Sequence, residues 1–578
     1  MRPTLFAALL LYLLFAATTA TEVGVVGEVA ASWAATPPHV ERVPGTAPVE
    51  HQLGPFLARE TRPTETLWGL PLAVNAYTGG PADWPARLVT VALGPEYGAW
   101  TGVGLGFVLL WLTHRFLMFN ASPIVAGLAG LWLATDWSFV FYRKVLGGTE
   151  VLLQAASLLV LWAVWSRRWR GGTHGSLALA TGIGLGLLAK ATFVATLGAV
   201  GLAVVLTRWD RARLLPPRPL SWPVLIGAPL ILVSPLVIAA LHHHFAGMSL
   251  LSHDSVALQL TRLGAGSLDR ESLWNVPRFL GNPLGFFHDA YGAPAGPPLS
   301  VLRNLGWMVL VAGTGLEWAR PIKNKQSALL RFLSIATPLQ LGFLTLLNRD
   351  LHHLAQCTIY LTIWGCLAAE RLAATITPPR GVGRAIFALL LVGPTLVAGA
   401  RQLIHTDSAL RSIHTPSFTR GGQRALARMV TASGARRLVT SDYEVYGALE
   451  LGLPEVELIH TWAAFTTRTA DQPPGAAALR RAEGAHYLSV LASAPLIYNW
   501  RPDPREVQRI AASEGLEAVQ VARMTQGADT LAVLYRITRR SGDRDLDGAR
   551  SGSGLGVGTE QHSSDAAGGH RDPADTRP

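Results

Sequence analysis

The sequence predicts an α-helical polytopic membrane protein of about eleven transmembrane helices, followed by a small α/β domain and a disordered tail. Three observations lead there. Of 578 residues, 49% are hydrophobic and only 15% are charged, against about 25% charged in soluble domains. The apolar residues gather in stretches long enough to span a bilayer. The positive charge, a net +11, concentrates in alternate short loops. A balance that basic would otherwise suggest nucleic acid as a partner, but the apolar excess excludes it. Two cysteines cannot staple a disulfide scaffold.

Crossing a hydrocarbon core about 30 Å thick takes roughly 17–25 apolar residues. Such stretches run at 3–20, 99–118, 122–141, 150–166, 174–189, 191–207, 223–241, 302–319, 328–347, 353–370 and 385–402. In lipid every backbone N–H and C=O must pair within the segment, so each stretch is expected to be a helix. Arg167, Arg168 and Arg170 follow the fourth stretch, and Arg208, Arg211, Arg213 and Arg218 the sixth. Arg320, Lys323, Lys325 and Arg331 join the eighth to the ninth, and Arg371, Arg380 and Arg384 the tenth to the eleventh. By the positive-inside rule these loops and the N-terminus face the cytoplasm. The segments 21–98 and 242–301, and everything after 403, then face outward. Residues 174–207 as one helix would extend about 51 Å, too long for one span. Two short spans bent at Lys190 keep both flanking arginine clusters inside. The first stretch, with Arg2 before it and Thr18-Thr19-Ala20 after it, also fits a signal peptide. The uncleaved anchor is preferred, and either way residue 21 emerges outside.

From 418 to 538 the texture changes. Short apolar runs at 437–440, 455–459, 486–490 and 531–537 read as strands, and 421–430, 475–483 and 504–514 as helices. Alternation of this kind predicts a largely parallel α/β sheet within a domain at 403–540. Thr440-Ser441-Asp442-Tyr443 follows the first strand, where a helix cap by Ser441 or Asp442 is the favoured reading over a ligand contact. Residues 541–578 are Gly-, Ser-, Asp- and Arg-rich, and cannot bury enough apolar surface to offset ordering entropy.

Ionisable groups in membrane segments mark function, and here they gather at the expected outer ends. Glu22 and Glu28 follow the first stretch. Arg143, Lys144 and Glu150 lie between the third and fourth, Lys190 at the bend, and Arg349, Asp350, His352 and His353 before the tenth. A transporter would place such groups at mid-depth. The layer suits a reaction at the membrane face with an anionic, lipid-linked substrate. Adjacent histidines such as His242-His243-His244 match no zinc spacing, so no metal and no cofactor is expected. Cys357 and Cys366, half a turn apart, are expected to be buried packing residues. The Pro277-Arg278-Phe279-Leu280 segment reads as amphipathic and interfacial.

In order along the chain come the first helix, an acidic outer loop with Pro85-Ala86-Arg87-Leu88, and Phe141-Tyr142-Arg143-Lys144-Val145-Leu146-Gly147-Gly148-Thr149-Glu150. Gly186-Leu187-Leu188-Ala189-Lys190-Ala191-Thr192 follows at the bend. Together these resemble the GT-C membrane glycosyltransferases, in the branch related to protein mannosyltransferases and lipid A aminoarabinose transferases. The resemblance covers roughly residues 1–400. It implies inverting transfer of a hexose or pentose from a polyprenyl-phosphate donor to an extracytoplasmic lipid, glycan or protein, in a bacterial inner membrane. It also implies a catalytic acid just after the first helix, often within an Asp-Glu pair. Thr21-Glu22 stands there, so the Asp is missing and the role falls to Glu22 or Glu28. Attack on an anomeric carbon needs a base, and the departing lipid phosphate needs cations. Lys190, Arg143, Lys144 and Arg349 are the expected phosphate ligands, with Glu150, His352 and His353 as further candidates. The competing readings are a flippase for a lipid-linked sugar and a non-catalytic membrane scaffold.

Overall fold

The computed structural model describes residues 3–18, 20, 84–94, 97–145, 149–165, 173–190, 192–207, 221–245, 270–282, 300–322, 324–347, 351–376, 382–412, 419–440, 442, 445, 449, 452–453, 455–460, 475–491 and 503–540. Glu22, Glu28, Arg349 and the 541–578 tail lie outside them.

The helices follow the apolar stretches in order: α1 Pro3–Ala17, α2 Trp84–Leu93, α3 Gly98–Asn120, α4 Pro123–Thr135, α5 Trp137–Val145, α6 Thr149–Trp165, α7 Thr173–Ala189 and α8 Phe193–Leu206. Then come α9 Ser221–Phe245, α10 Arg270–Gly281, α11 Ser300–Trp318, α12 Lys325–Leu347, a 3-10 turn Leu351–Cys357, α13 Thr358–Ile376 and α14 Val382–Ser412. All eleven expected stretches are helical. Among the described residues, four helices are long and apolar enough to cross a membrane, or five if α4 and α5 are one broken span. The other expected spans fall short of that measure. The chain is thus a mostly helical protein with several apolar helices, consistent with a polytopic membrane protein.

Three departures from plain spans place the site. α7 and α8 break at Lys190, as the length argument requires. The expected 122–141 span is broken at Asp136, where α5 turns 51° from α4. α14 runs ten residues past the expected end at 402, about 46 Å in all at 1.5 Å per residue, and so crosses residue 403. α1 packs on α3 and α4, with Tyr12 fully buried and its hydroxyl donating to the Val103 carbonyl at 2.9 Å. Around it lies one apolar core that includes Leu133, Phe139, Phe141, Leu333, Tyr360 and Ile363. Cys357 and Cys366 are free and buried.

Beyond α15 (Arg420–Ala432) lies a five-stranded sheet of β1 Arg437–Thr440, β2 Glu457–His460, β3 His486–Val490, β4 Leu516–Gln526 and β5 Asp529–Arg539, with helices α16 Ala476–Arg481 and α17 Pro504–Ser513. The strand order is β2-β1-β3-β5-β4. β1 pairs in parallel with β2 and β3, but β5 is antiparallel to both β3 and β4. The sheet is therefore mixed, not largely parallel. The missed strand is β4, whose hairpin with β5 turns at Gly527, φ 61°, a conformation that glycine adopts without a Cβ clash. Asp442 caps the turn after β1, its carboxylate accepting from the Val445 N–H at 2.9 Å.

Candidate functional site

Three of the expected site residues meet where α5, α6 and the α7–α8 break converge. Arg143, near the end of α5, is fully buried, Glu150 opens α6 at 2% exposure, and Lys190 is 9% exposed. Lys190 Nζ lies 3.9 Å from Glu150 Oε1, and Arg143 and Lys190 both act electrostatically on the Glu150 carboxylate. Arg143 donates through Nη2 to Gln154 Oε1. Gln154, one turn along α6, is oriented by its own bond to the Ala355 carbonyl at 2.7 Å. The guanidinium lies over the Phe139 ring, 4.4 Å from its centroid. Its space is made by Gly106 of α3, where a Cβ would run into the Tyr12 hydroxyl and Arg143 Cδ.

This arrangement is incompletely paired. Among the described residues, Arg143 Nε and Nη1 and Glu150 Oε2 are buried with no hydrogen-bond partner. A buried charged donor without a partner costs more than an ordinary lost hydrogen bond. Such a site is suited to an anion that brings several oxygens, because the guanidinium fork binds phosphate or carboxylate bidentately.

Lys144 goes elsewhere. Successive residues point about 100° apart on a helix, and Lys144 Nζ reaches Asp407 Oδ1 of α14 at 3.1 Å. His352 and His353 lie on the 3-10 turn that joins α12 to α13; their side chains, like Glu22, Glu28 and Arg349, are outside the described residues.

The sequence reading missed a second polar group beside the first. Asp136, in the α4–α5 break, accepts from the Phe139 N–H at 3.0 Å and so caps α5. Its other oxygen lies 3.7 Å from Arg303 Nη2 of α11. Arg303, 4% exposed, also donates to Gln402 Oε1 at 3.0 Å and to the Leu280 carbonyl at 2.9 Å. A small cavity borders the pair, walled by Trp132, Phe279 and Trp307, with Thr358 and Thr362 beside them. The signal was present: Asp136 and Arg303 are charges inside apolar stretches, where an ionisable group is costly and seldom idle.

The fold has solved counterparts. ArnT from Cupriavidus metallidurans, in a crystal structure bound to undecaprenyl phosphate, matches at a TM-score of 0.52 and 10% identity, covering 92% of this chain and 97% of that one. Its apo state matches at 0.53 and 10%, covering 92% and 96%. The chain has the GT-C glycosyltransferase fold. The archaeal oligosaccharyltransferase AglB from Archaeoglobus fulgidus, in complex with an inhibitory peptide and a dolichol-phosphate, gives a TM-score of 0.45 at 12% identity over 84% of this chain and 69% of that one. No family model and no curated protein matches the sequence.

Proposed function

We propose that this protein is an integral membrane glycosyltransferase that moves a sugar from a polyprenyl-phosphate donor to an extracytoplasmic lipid, glycan or protein. The observation that carries this reading is the buried Arg143 guanidinium, with two nitrogens unpartnered among the described residues beside Lys190 and Glu150. It lies in a fold whose counterpart in C. metallidurans is bound to undecaprenyl phosphate.

Arg143 and Lys190 hold the donor phosphate, and their charge stabilises the negative charge that grows on it as the sugar–phosphate bond breaks. Glu150 keeps the Lys190 ammonium in place and limits like-charge repulsion between the two cations. Glu22 or Glu28 takes the acceptor hydroxyl proton as that oxygen attacks the anomeric carbon from the face opposite the phosphate, inverting its configuration. The polyprenyl phosphate departs in the membrane. The working face is the outer side of a bacterial inner membrane, where the α/β domain also lies.

The test is sugar transfer in membrane vesicles supplied with a labelled polyprenyl-phosphate sugar. Wild-type vesicles label an endogenous acceptor, and Glu22→Gln and Lys190→Ala vesicles lose that labelling. Undiminished transfer in both variants removes the site assignment. Absence of transfer by the wild type across polyprenyl-phosphate hexoses and pentoses removes the enzymatic reading.

A further inference from the structure

α5 has nine residues, fewer than the roughly 12–15 at which an isolated helix becomes even marginally stable. Its direction is therefore set by what it docks on. It packs on α1, α3, α4 and α14, most of all on α3, while the polar links at its two ends involve one face of α14. Gly399, Gln402, Thr406 and Asp407 are offset by 0, 3, 7 and 8 residues, the spacing of a single helical face. Gly399 backs onto the Thr135 carbonyl so closely that a Cβ would collide with it. Gln402 accepts from Arg303, which pairs with Asp136 at the start of α5. Thr406 Oγ1 accepts from Trp137 Nε1 at 2.7 Å, and Asp407 takes the Lys144 ammonium near the end of the helix. Both ends of α5 are thus pinned to α14, directly or through Arg303. Arg143 leaves the other side of α5 toward Gln154.

We propose that this face of α14 sets the aim of Arg143, with Asp136, Arg303 and Asp407 as positioning residues and Lys144 serving the latch instead of the donor phosphate. The proposal rests on the glycosyltransferase reading for its kinetic readout only. A guanidinium fork that must meet phosphate oxygens bidentately tolerates little displacement, and a shift of about 1 Å can cost about 100-fold. Lys144 is 2% exposed, and in the latch its charge is met by a carboxylate at hydrogen-bond distance.

Two measurements on the full-length protein test this. The first is the donor KM. Asp407→Asn raises it about 10- to 100-fold with the acceptor KM unchanged, whereas a variant that merely unfolds in part lowers kcat and leaves the donor KM alone. Exchanging the pair, Lys144→Asp with Asp407→Lys, recovers most of the loss seen in Lys144→Asp. An exchanged protein as impaired as that single variant, or an unchanged donor KM in Asp407→Asn, overturns the proposal. The second is amide hydrogen exchange over 137–145 in detergent, which needs no turnover. Exchange there is faster in Asp407→Asn and returns toward the wild-type rate in the exchanged pair. If transfer is absent from the wild type but this pattern holds, the enzymatic reading fails and the latch stands; unchanged exchange in Asp407→Asn overturns the latch.

Discussion

The two ends of the helical bundle handle buried charge differently. Arg143, Glu150, Lys190, Asp136 and Arg303 lie at one end. At the other, about 20 Å away along α4 and α11 at 1.5 Å per residue, are Glu317 and Glu370, each at most 2% exposed. There each acid has one close arginine: Glu317 has Arg371 at 2.6 Å, with Arg331 further off at 4.0 Å, and Glu370 has Arg384 at 3.2 Å and the Ser122 hydroxyl at 3.0 Å. At the first end Lys190 and Glu150 stand 3.9 Å apart, and among the described residues Arg143 has no carboxylate within ion-pair distance; unpartnered buried polar atoms occur at both ends. The close pairs tie α4, α11, α12, α13 and α14 together. The loose set leaves cationic capacity unspent, which is what an anionic substrate requires. Equal burial therefore comes with two kinds of pairing, close at one end and loose at the other, and the proposed site lies at the loose end.

The contrast can be broken from either side. The largest effect is expected from Arg371→Ala, which removes the closer partner of the buried Glu317 and leaves it only Arg331 at 4.0 Å. It should cost about 3–5 kcal/mol, read as a lowered unfolding temperature in detergent, with the donor KM of the surviving protein unchanged; a raised donor KM would put this end in the site as well. Next, Arg143→Ala should lower transfer about 10²–10³-fold with little change in unfolding temperature. A variant that transfers normally would make Arg143 one more structural charge. Gly106→Ala should crowd Arg143 Cδ and raise the donor KM about tenfold, and its clash with the buried Tyr12 hydroxyl should also cost about 1–3 kcal/mol of stability, read from the thermal midpoint; an unchanged donor KM would show that only the Tyr12 packing is disturbed. The smallest change is expected from Glu317→Gln combined with Arg371→Met. Removing both charges leaves no buried acid there, and Arg331, partly exposed, keeps its bonds to the Glu317 and Arg320 carbonyls, so stability should fall within about 1 kcal/mol of wild type. A double variant as unstable as Arg371→Ala would show that packing, and not charge, holds that end.

Much of this was legible in single residues. Lys190 among apolar neighbours implied a break, and α7 and α8 separate there. The strands at 437–440 and 486–490 were visible from their apolar runs. β4 was not, because its alternation of apolar and polar residues in Leu516–Gln526 belongs to a half-exposed hairpin strand, and the sequence reading followed continuous apolar runs. The arginines at 331, 371 and 384 were read as topology signals alone, yet each has a buried acid as its partner. Arg143 and Lys144 were read as a pair of phosphate ligands, although 100° of helix rotation already separates them.

The sequence by itself determined where the chain is apolar enough to be helical in lipid, where it must break, and which residues are ionisable, because those properties depend on a window of a few residues. Only the tertiary structure decided which charges meet. Asp136 finds Arg303, Lys144 finds Asp407 263 residues away, and Gly399 lets α14 approach the α4–α5 break. Those meetings depend on how helices far apart in the chain cross and which faces they present. No local period encodes that, so arginine and lysine side chains end up closely or loosely paired according to the helix that packs against them.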